Sequence, residues 1–321
     1  MSGIKDIAKA ARVSPSTVSN AINNRPNVSP EKREAIMKLC QEMNYQPNPA
    51  GRGLRTGNSK TILFVFSDFD RQFYLQIIKG IHDFTNSKGY DLLICTRSSC
   101  EKYMNKQNTS GCIILDRRVP DEVILRYATA QYPIIVLDRI MDSPFVKSLT
   151  INNYAAMCEL MEGLIVRGYS RFNFLSGVET TLDSQERSRA FCDTLSKHHL
   201  PCPVDSILAG DYSENSGYRA AKILMLSEVL PEALVCANDL MAFGAIKAFE
   251  SSGIAIPGDI SITGFDDEQP SDSLGLTTIS IPDYERGYLA AQHLLNCLSG
   301  TGNFSPVTIS SHVIWRNKTI K

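Results

Sequence analysis

Long apolar runs are missing from this 321-residue sequence. No stretch reaches the ~18 apolar residues that a membrane-spanning helix needs. The opening residues, Met-Ser-Gly-Ile-Lys-Asp, contain no apolar segment like that of a secretory signal. We therefore expect a cytoplasmic protein that has no membrane partner. The content of hydrophobic residues, 43%, and of charged residues, 21%, is that of an ordinary globular chain, and the length predicts two or three domains.

Patterns that hold metals or perform catalysis are missing too. The nine cysteines are scattered and no two are spaced as C-x-x-C, so we expect neither a zinc site nor a disulfide framework. The motifs G-x-S-x-G, G-x-x-x-x-G-K-[ST] and H-E-x-x-H do not occur. We therefore predict that the chain is not an enzyme and uses no cofactor or metal.

Charge is distributed unevenly along the chain. Residues 1–60 contain ten Lys/Arg and four Asp/Glu, whereas the remainder contains 23 and 30. A basic end on an acidic body is typical of a nucleic-acid-binding module attached to another domain. A solvated charged surface would give the same counts, so charge alone leaves both interpretations open.

Three short helices are predicted in residues 4–45. The first has apolar residues at the i, i+3, i+4 and i+7 positions of one face, starting from Ile4. Ser-Pro pairs at 14–15 and 29–30 are typical of helix starts, because serine caps the N-terminus and proline suits the first turn. The second helix carries hydrogen-bonding side chains opposite its apolar face, namely Ser16, Thr17, Asn20 and Asn23. Two such helices could place this polar face in the major groove of DNA; a small helical packing domain is the alternative.

From residue 61 onward, strand-like apolar runs alternate with helical patterns. Strands are predicted at 61–67, 91–96, 112–115, 134–138, 172–176, 207–209, 233–237 and 260–265. Helices are predicted at 72–87, 121–131, 154–167, 184–198, 214–227 and 239–252. This alternation predicts parallel sheets with helices on both faces, and the number of units predicts two sheets. The expected fold class is α/β: an N-terminal all-α helix-turn-helix headpiece, then two doubly wound parallel α/β subdomains.

The segment IKDIAKAARVSPSTVSNAIN at residues 4–23 resembles the headpiece of the lactose-repressor (LacI/GalR) family of bacterial transcription regulators. The likeness continues through Val28-Ser29 and Tyr45-Gln46-Pro47-Asn48. It implies a sequence-specific repressor that acts as a homodimer on a near-palindromic DNA operator. It also implies a body like the type I periplasmic sugar-binding proteins, controlled allosterically by a small molecule, a sugar or sugar derivative, between its subdomains.

The resemblance assigns DNA contacts within the headpiece. Ser16 and Asn20 fall where relatives read bases, and an asparagine amide suits bidentate pairing with adenine. Thr17 and Asn23 fall where a phosphate contact or a helix cap is expected. Pro15, at another base-reading position, has no side-chain donor.

A hinge is expected after the headpiece. Leu54 matches the family's leucine that wedges into the minor groove, and two arginines flank it. Gly51 and Gly53 stand where relatives usually carry Ala and Ser, and each glycine costs a helix roughly 0.5–1 kcal/mol relative to alanine. We expect this hinge to be more disordered off DNA than in relatives and to fold on binding. The hinge residues predicted to contact DNA are Arg52, Leu54 and Arg55.

Effector contacts are implied at matching positions of the body. Several follow predicted strands, whose C-terminal ends face the crevice in open α/β sheets. Arginine and carboxylates can bind neighbouring hydroxyls, and aromatic faces can cover a sugar ring. Phe73 could instead belong to the core, and Asp239 could be a helix N-cap rather than a ligand contact. The predicted effector-binding residues are Phe73, Tyr74, Asp138, Arg139, Arg187, Tyr212, Asn238 and Asp266.

The resemblance covers nearly the whole chain and implies its domain organisation. The predicted segments are a headpiece at 1–47, a hinge at 48–60, an N-terminal effector subdomain at 61–151 plus 282–309, and a C-terminal effector subdomain at 152–281 plus 310–321. The stretch between Thr96 and Gly111 is shorter than the family pattern, so we expect one helix there to be cut back.

Three other functions are alternatives to an effector-controlled regulator. A sugar-binding transport or chemoreceptor protein would suit the body but not the basic headpiece. An enzyme on the α/β body lacks a catalytic motif. A regulator whose cleft is controlled by a protein co-regulator would be distinguished by whether a small molecule alone shifts operator affinity.

Overall fold

The computed structural model describes residues 3–45, 59–67, 69, 71–301 and 306–321. The chain divides into two compact units, and the second begins at Lys60. The hinge residues Arg52, Leu54 and Arg55, with Gly51 and Gly53, lie outside the described residues, so their expected roles remain predictions.

The described part of the first unit contains three helices, as the sequence predicts: α1 (Ile4–Ala10), α2 (Pro15–Ile22) and α3 (Pro30–Glu42). Ser14 and Ser29 cap α2 and α3, each accepting a hydrogen bond from the backbone N–H three residues on. These caps satisfy amides that a helix start leaves free. The apolar sides of the three helices share one core, formed by Ile7, Ala8, Val18, Ala21, Val28, Ile36 and Cys40.

The second unit contains a sheet whose described strands number six. In chain order they are β1 (Thr61–Phe66), β2 (Asp91–Thr96), β3 (Gly111–Leu115), β4 (Ile134–Val136), β5 (Val146–Ile151) and β11 (Val307–Ile309). Their order across the sheet is β11-β5-β4-β3-β1-β2, and every pairing is parallel.

Helices cover both faces of this first sheet. They are α4 (Phe73–Ser87), α5 (Arg97–Tyr103), α6 (Asp121–Tyr127) and α12 (Asp283–Ser299). Strand β1 shows why both faces need cover: Phe64 belongs to the core under α4 and α12, whereas its neighbour Val65 belongs to the core under α5 and α6. Successive side chains of a strand point to opposite faces, so a continuous apolar run is buried on both.

A second parallel sheet has the order β7-β6-β8-β9. Its strands are β6 (Phe172–Leu175), β7 (Ile207–Leu208), β8 (Ala233–Cys236) and β9 (Ser261–Thr263). The helices around it are α7 (Asn153–Val166), α8 (Leu182–Lys197), α9 (Glu214–Leu224), α10 (Asp239–Glu250) and α11 (Pro270–Leu274). The remaining strands, β10 (Thr278–Ser280) and β12 (His312–Ile314), form a small antiparallel pair.

The predicted architecture of a helical headpiece and two parallel α/β sheets is confirmed. The chain passes from the first sheet to the second after β5, returns to the first after β10, and leaves it again after β11. The subdomain boundaries remain predictions. The elements β5, β11, α11, α12 and the antiparallel pair were not predicted, and α5 lies in the stretch where a cut-back helix was expected. A further correction concerns residues 121–131, where α6 ends at Tyr127 because Thr129 and Tyr132 form a tight bridge. Over the ranges given above, no helix is long and apolar enough to cross a bilayer.

Candidate ligand cleft and recognition helix

A cavity of about 440 Å³ opens between the carboxyl ends of the two parallel sheets. This volume is within the range of small-molecule sites. We call the residues contributed by the first sheet and its helices the first wall: Ser67, Arg71, Phe73, Tyr74, Leu115, Asp116, Arg117, Arg118, Leu137, Asp138, Thr150, Ile151, Asp283 and Arg286. The second wall comes from the second sheet and its helices: Asn153, Val178, Thr180, Thr181, Leu182, Asp183, Arg187, Tyr212 and Asp266.

Arg187, on α8, is fixed by its neighbours in the second wall. Its Nε donates to the Oδ1 of Asn153 at 2.9 Å, and Nη1 donates to the carbonyl of Ala237. Its guanidinium carbon lies 3.5 Å from the centre of the Phe265 ring. The remaining nitrogen, Nη2, lies 3.9 Å from Asp266 Oδ1, too far for a normal hydrogen bond. Arg187 Nη2 and Asp266 Oδ1 are therefore not hydrogen-bonded to each other, and both can bind a hydroxyl group of a ligand.

Asp266 adopts a backbone conformation that few non-glycine residues show. Its φ is +107°, and its amide donates to the carbonyl of Ile279 at 2.9 Å. Strained residues of this kind concentrate at functional sites. Burial raises the pKa of the Asp266 carboxyl well above its ordinary value, although Arg187 opposes the shift. This carboxyl can therefore accept hydrogen bonds or, when protonated, donate one.

Tyr212 presents its ring to the same wall and is also held with a positive φ, +66°. Its hydroxyl donates to Asp183 Oδ2 at 2.8 Å. Burial alone would raise the pKa of Asp183, but Arg187 and hydrogen bonds from Thr181 and Tyr212 outweigh it and lower that pKa. The tyrosine hydroxyl thus has an ionised partner before any ligand arrives.

Gly177 lies directly against the ring of Tyr212. A Cβ at position 177 would lie 1.9 Å from the ring's Cζ, so only Gly177 allows this close approach. Asn238 supports the tyrosine from behind, since its Nδ2 donates to the Tyr212 carbonyl at 3.1 Å.

Asn238 is therefore a positioning residue in this structure and does not line the cavity. Its Oδ1 also accepts from the Met241 amide at 3.0 Å, which makes Asn238 the N-cap of α10. The suggestion that Asp239 is the cap was wrong. Asp239 is the first helical residue, and its buried carboxylate accepts hydrogen bonds from Ser271, Thr278 and the Glu268 amide.

The first wall carries the predicted aromatic pair at the start of α4. The Tyr74 hydroxyl lies 2.5 Å from Ser67 Oγ, and the Phe73 and Tyr74 ring centres are 4.2 Å apart. Both rings line the cavity, and Phe73 also packs against the core of the first sheet. The two interpretations of Phe73 are thus compatible.

Asp138 and Arg139, adjacent in sequence, have different environments. Asp138 lines the cavity, whereas Arg139 does not and is 3% exposed. All five guanidinium N–H groups of Arg139 donate hydrogen bonds: two to Asp138, and the others to Asp121 and to the carbonyls of Val119 and Asp116. Arg139 has no donor left for a ligand in this arrangement, so it holds Asp138 instead.

Several cavity residues were not predicted from the sequence. They are polar side chains in loops or at helix ends: Arg71, Asp116, Arg117, Arg118, Asn153, Asp283 and Arg286. The position of the loops after strands β1 and β3 could have indicated Arg71 and residues 116–118, because parallel strands bring their carboxyl ends to one edge of the sheet.

The polar side of α2 forms the candidate DNA interface of the first unit. Ser14 Oγ lies 2.6 Å from Ser16 Oγ and 2.9 Å from Thr17 Oγ1, so three hydroxyls cluster at the helix N-terminus. Asn23 folds back, and its Nδ2 donates to the Ser19 carbonyl at 2.6 Å. The side-chain amide of Asn20 makes no hydrogen bond within the described residues. Of these residues, Asn20 is therefore the one whose amide is available to a base edge.

Two family descriptions match the sequence. Residues 3–48 match "Bacterial regulatory proteins, lacI family", and residues 161–318 match "Periplasmic binding protein-like domain". The first covers the three-helix unit, and the second begins near the end of α7 and continues past β12.

Curated relatives and solved structures agree with these matches. The chain is 30% identical over 305 residues to the "Probable HTH-type transcriptional repressor ExuR" of Bacillus subtilis (strain 168), covering 92% of this chain and 91% of the relative. It is 26% identical to catabolite control protein A of Priestia megaterium, covering 98% of both chains. A crystal structure of the lac repressor dimer, bound to operator and the anti-inducer ONPF, superposes with a TM-score of 0.86 at 25% identity, covering 100% of this chain and 99% of the repressor chain.

Proposed function

Because the chain belongs to the lacI family of bacterial regulatory proteins, we propose that α2 reads operator DNA and that a small molecule in the cleft controls this reading. The chain is a DNA-binding transcription regulator of a family whose matched members include repressors. Regulation rather than catalysis is its role in this proposal, and it acts in the cytoplasm, where bacterial DNA lies.

Ser16 and Asn20 are assigned to base reading, and Thr17 and Asn23 to phosphate contact and helix capping. The observation that carries this assignment is the environment of α2: its apolar side is buried, while the Asn20 amide is left without a partner among the described residues. A helix entering the major groove reads bases through such side chains near its N-terminus. The contacts of Arg52, Leu54 and Arg55 remain part of the proposal.

The effector assignment is supported by the second wall. Arg187, Asp266 and Tyr212 combine paired polar groups with an aromatic face, which suits a hydroxyl-rich ring such as a sugar. Phe73, Tyr74 and Asp138 complete the cavity from the first wall. The lac repressor structure that this chain resembles holds an anti-inducer as well as operator. Asn238 and Arg139 act by holding Tyr212 and Asp138.

The proposed mechanism couples the cleft to the DNA. The segments 61–151 with 282–309, and 152–281 with 310–321, would change their mutual angle when effector binds, and the hinge at 48–60 would transmit this change to the headpiece at 1–47. Such coupling is typically ~1–3 kcal/mol and reciprocal, so operator must change effector affinity by the same factor. A homodimer would require a near-palindromic operator.

Selection from random DNA tests the base-reading proposal without a known operator. The full-length protein should enrich a near-palindromic sequence. Asn20→Ala should relax preference at one symmetry-related position and weaken binding of the selected site by ~1–3 kcal/mol. Gln41→Ala, which removes an exposed amide on α3, is the matched control and should keep the full preference. A uniform loss over all DNA sequences with Asn20→Ala would argue against base reading, and no enrichment by the wild type would refute the regulator proposal.

A protein co-regulator is the second candidate for control of the cleft. It is distinguished by titrating operator affinity with small molecules alone. If none of them changes affinity while a cellular protein fraction does, control by a partner would replace control by an effector.

A further inference from the structure

Three arginines of the first wall reach the cavity from different elements. Arg71 follows β1, Arg117 follows β3, and Arg286 lies on α12. We call them the first-wall arginines. β1 and β3 are neighbours in the sheet, so the loops carrying Arg71 and Arg117 start from the same edge.

Two of these arginines, Arg71 and Arg117, make no hydrogen bond to a described residue. Arg117 is exposed and makes no hydrogen bond or ion pair with any described residue. Arg71 is placed with its guanidinium carbon 5.2 Å from the centre of the Tyr212 ring, which occupies the face of the guanidinium but not its N–H groups.

Arg286 provides the independent indication of a ligand. The residue is 6% exposed and lines the cavity, and its Nη2 donates to the Leu137 carbonyl at 2.7 Å. Its Nε is buried and has no hydrogen-bond partner in the described structure. A buried donor without a partner is costly in a native protein, so an acceptor is expected to reach it from the cavity.

The carboxylates of the first wall do not neutralise these arginines. Both oxygens of Asp138 accept from Arg139, and Asp116 accepts from Arg118. Asp283 is the exception, at 3.4 Å from Arg286 Nη1. On the second wall, burial raises the pKa of Asp266 well above its ordinary value, which reduces the negative charge facing the arginines. The cavity therefore offers arginine N–H groups that no described side chain occupies, beside a site suited to hydroxyls.

We infer that the cleft takes a sugar derivative carrying one anionic group, a carboxylate or a phosphate, bound by Arg71, Arg117 and Arg286 while Arg187 and Asp266 bind its ring hydroxyls. This inference rests on the proposed effector function of the same cleft. A guanidinium suits both anions, because its N–H groups match their oxygens in a bidentate fashion.

The test uses the full-length protein and matched hexoses that differ only at C6. Glucose, galactose and mannose are each compared with the corresponding uronate and 6-phosphate, by thermal shift and then by calorimetric titration. We expect at least one anionic member to raise Tm and to bind at least tenfold more tightly than its neutral parent. Binding by a uronate or by a 6-phosphate identifies which anion the arginines accept. A neutral parent that binds as tightly as its anionic forms would overturn the inference, and so would a complete absence of binding by the anionic members.

Two variants test whether the anionic group binds to the first wall. Arg117→Gln should weaken the anionic ligand about tenfold and reduce the salt dependence of its binding, because one cation is lost without a change in packing. Arg97→Gln removes an exposed arginine that does not line the cavity, and it should leave both properties unchanged. Equal affinities for the two variants would overturn the assignment of the anion to the first wall. The regulator proposal fails separately, if the DNA selection enriches no sequence.

Discussion

The two walls of the cavity differ in how much of their hydrogen-bonding capacity is already used. On the second wall, Arg187 is held by Asn153 and Ala237, and the Tyr212 hydroxyl is held by Asp183. On the first wall, Arg117 has no partner in the described part of the chain, and a buried nitrogen of Arg286 is likewise unpartnered there.

This difference indicates that the two walls recognise different properties of a ligand. Side chains that are fixed before binding lose little conformational freedom when a ligand arrives, so the second wall can define the shape of the ligand at low entropic cost. Unpaired side chains gain a partner on binding, so the first wall can distinguish ligands by charge. Arg139, which lies behind the first wall, is fully paired and holds Asp138.

The largest predicted effect concerns Arg139. Arg139→Met should lower the free energy of unfolding by about 3–5 kcal/mol, because it leaves Asp138 and two buried carbonyls without their donor. Arg126→Met is the control, since Arg126 pairs with Glu101 at 3.6 Å on the surface, and an exposed pair contributes about 0–1 kcal/mol. Urea unfolding measures both. Similar stabilities for the two variants would show that the hydrogen bonds of Arg139 do not stabilise the fold.

The next effect depends on pH and concerns Asp283. Burial raises the pKa of this carboxyl to about 6. A raised carboxyl pKa favours the protonated folded state, so its contribution to stability is complete below the unfolded pKa, near 4, and is lost as pH rises toward 6. Asp283→Asn cannot ionise. The stability of this variant relative to wild type should therefore rise by about 3 kcal/mol between pH 4 and 7.

Urea unfolding at a series of pH values checks this prediction. Asp142→Asn, which changes an exposed aspartate, should follow the wild type at every pH. A difference between Asp283→Asn and wild type that does not change with pH would mean that Arg286 keeps Asp283 ionised throughout, and the first wall would then be more fully paired than we describe.

The smallest effect tests the fixed state of the second wall. Tyr212→Phe removes the hydrogen bond to the ionised Asp183 and should lower the free energy of unfolding by about 2 kcal/mol, since hydrogen bonds to charged groups contribute about 1.5–3 kcal/mol. Tyr154→Phe removes a similar tyrosine–aspartate bond at the surface, where Tyr154 donates to Asp193 at 2.9 Å, and should change stability little. If the two variants unfold alike, the Tyr212–Asp183 pair does not fix the wall before ligand binding.

The sequence predicted the second wall better than the first, and strand geometry explains why. Arg187, Tyr212 and Asp266 stand in motifs that resemble those of relatives, whereas Arg71 and Arg117 lie in loops where an arginine forms no pattern. Asp138 and Arg139 were predicted together, but successive residues at the end of a strand point in opposite directions, so only one of them faces the cavity.

The strands also differ in how well local sequence predicts them. Apolar runs such as β1 were predicted because a buried strand must be hydrophobic on both faces. Strand β5 was not predicted, because its sequence, VKSLTI, mixes polar residues into the run and gains its place by pairing with β4 and β11. Pairing of distant segments of this kind is not visible in local sequence.

The glycine beneath Tyr212 has a consequence for changing what the protein senses. A side chain at position 177 would displace the ring, and the ring's backbone is already held by Asn238. Substitutions there would remove the pocket rather than alter its preference. A biosensor designed from this chain would therefore keep Gly177, Tyr212 and Asn238 constant and randomise the exposed loop positions opposite, where a new side chain meets solvent and not a packed ring.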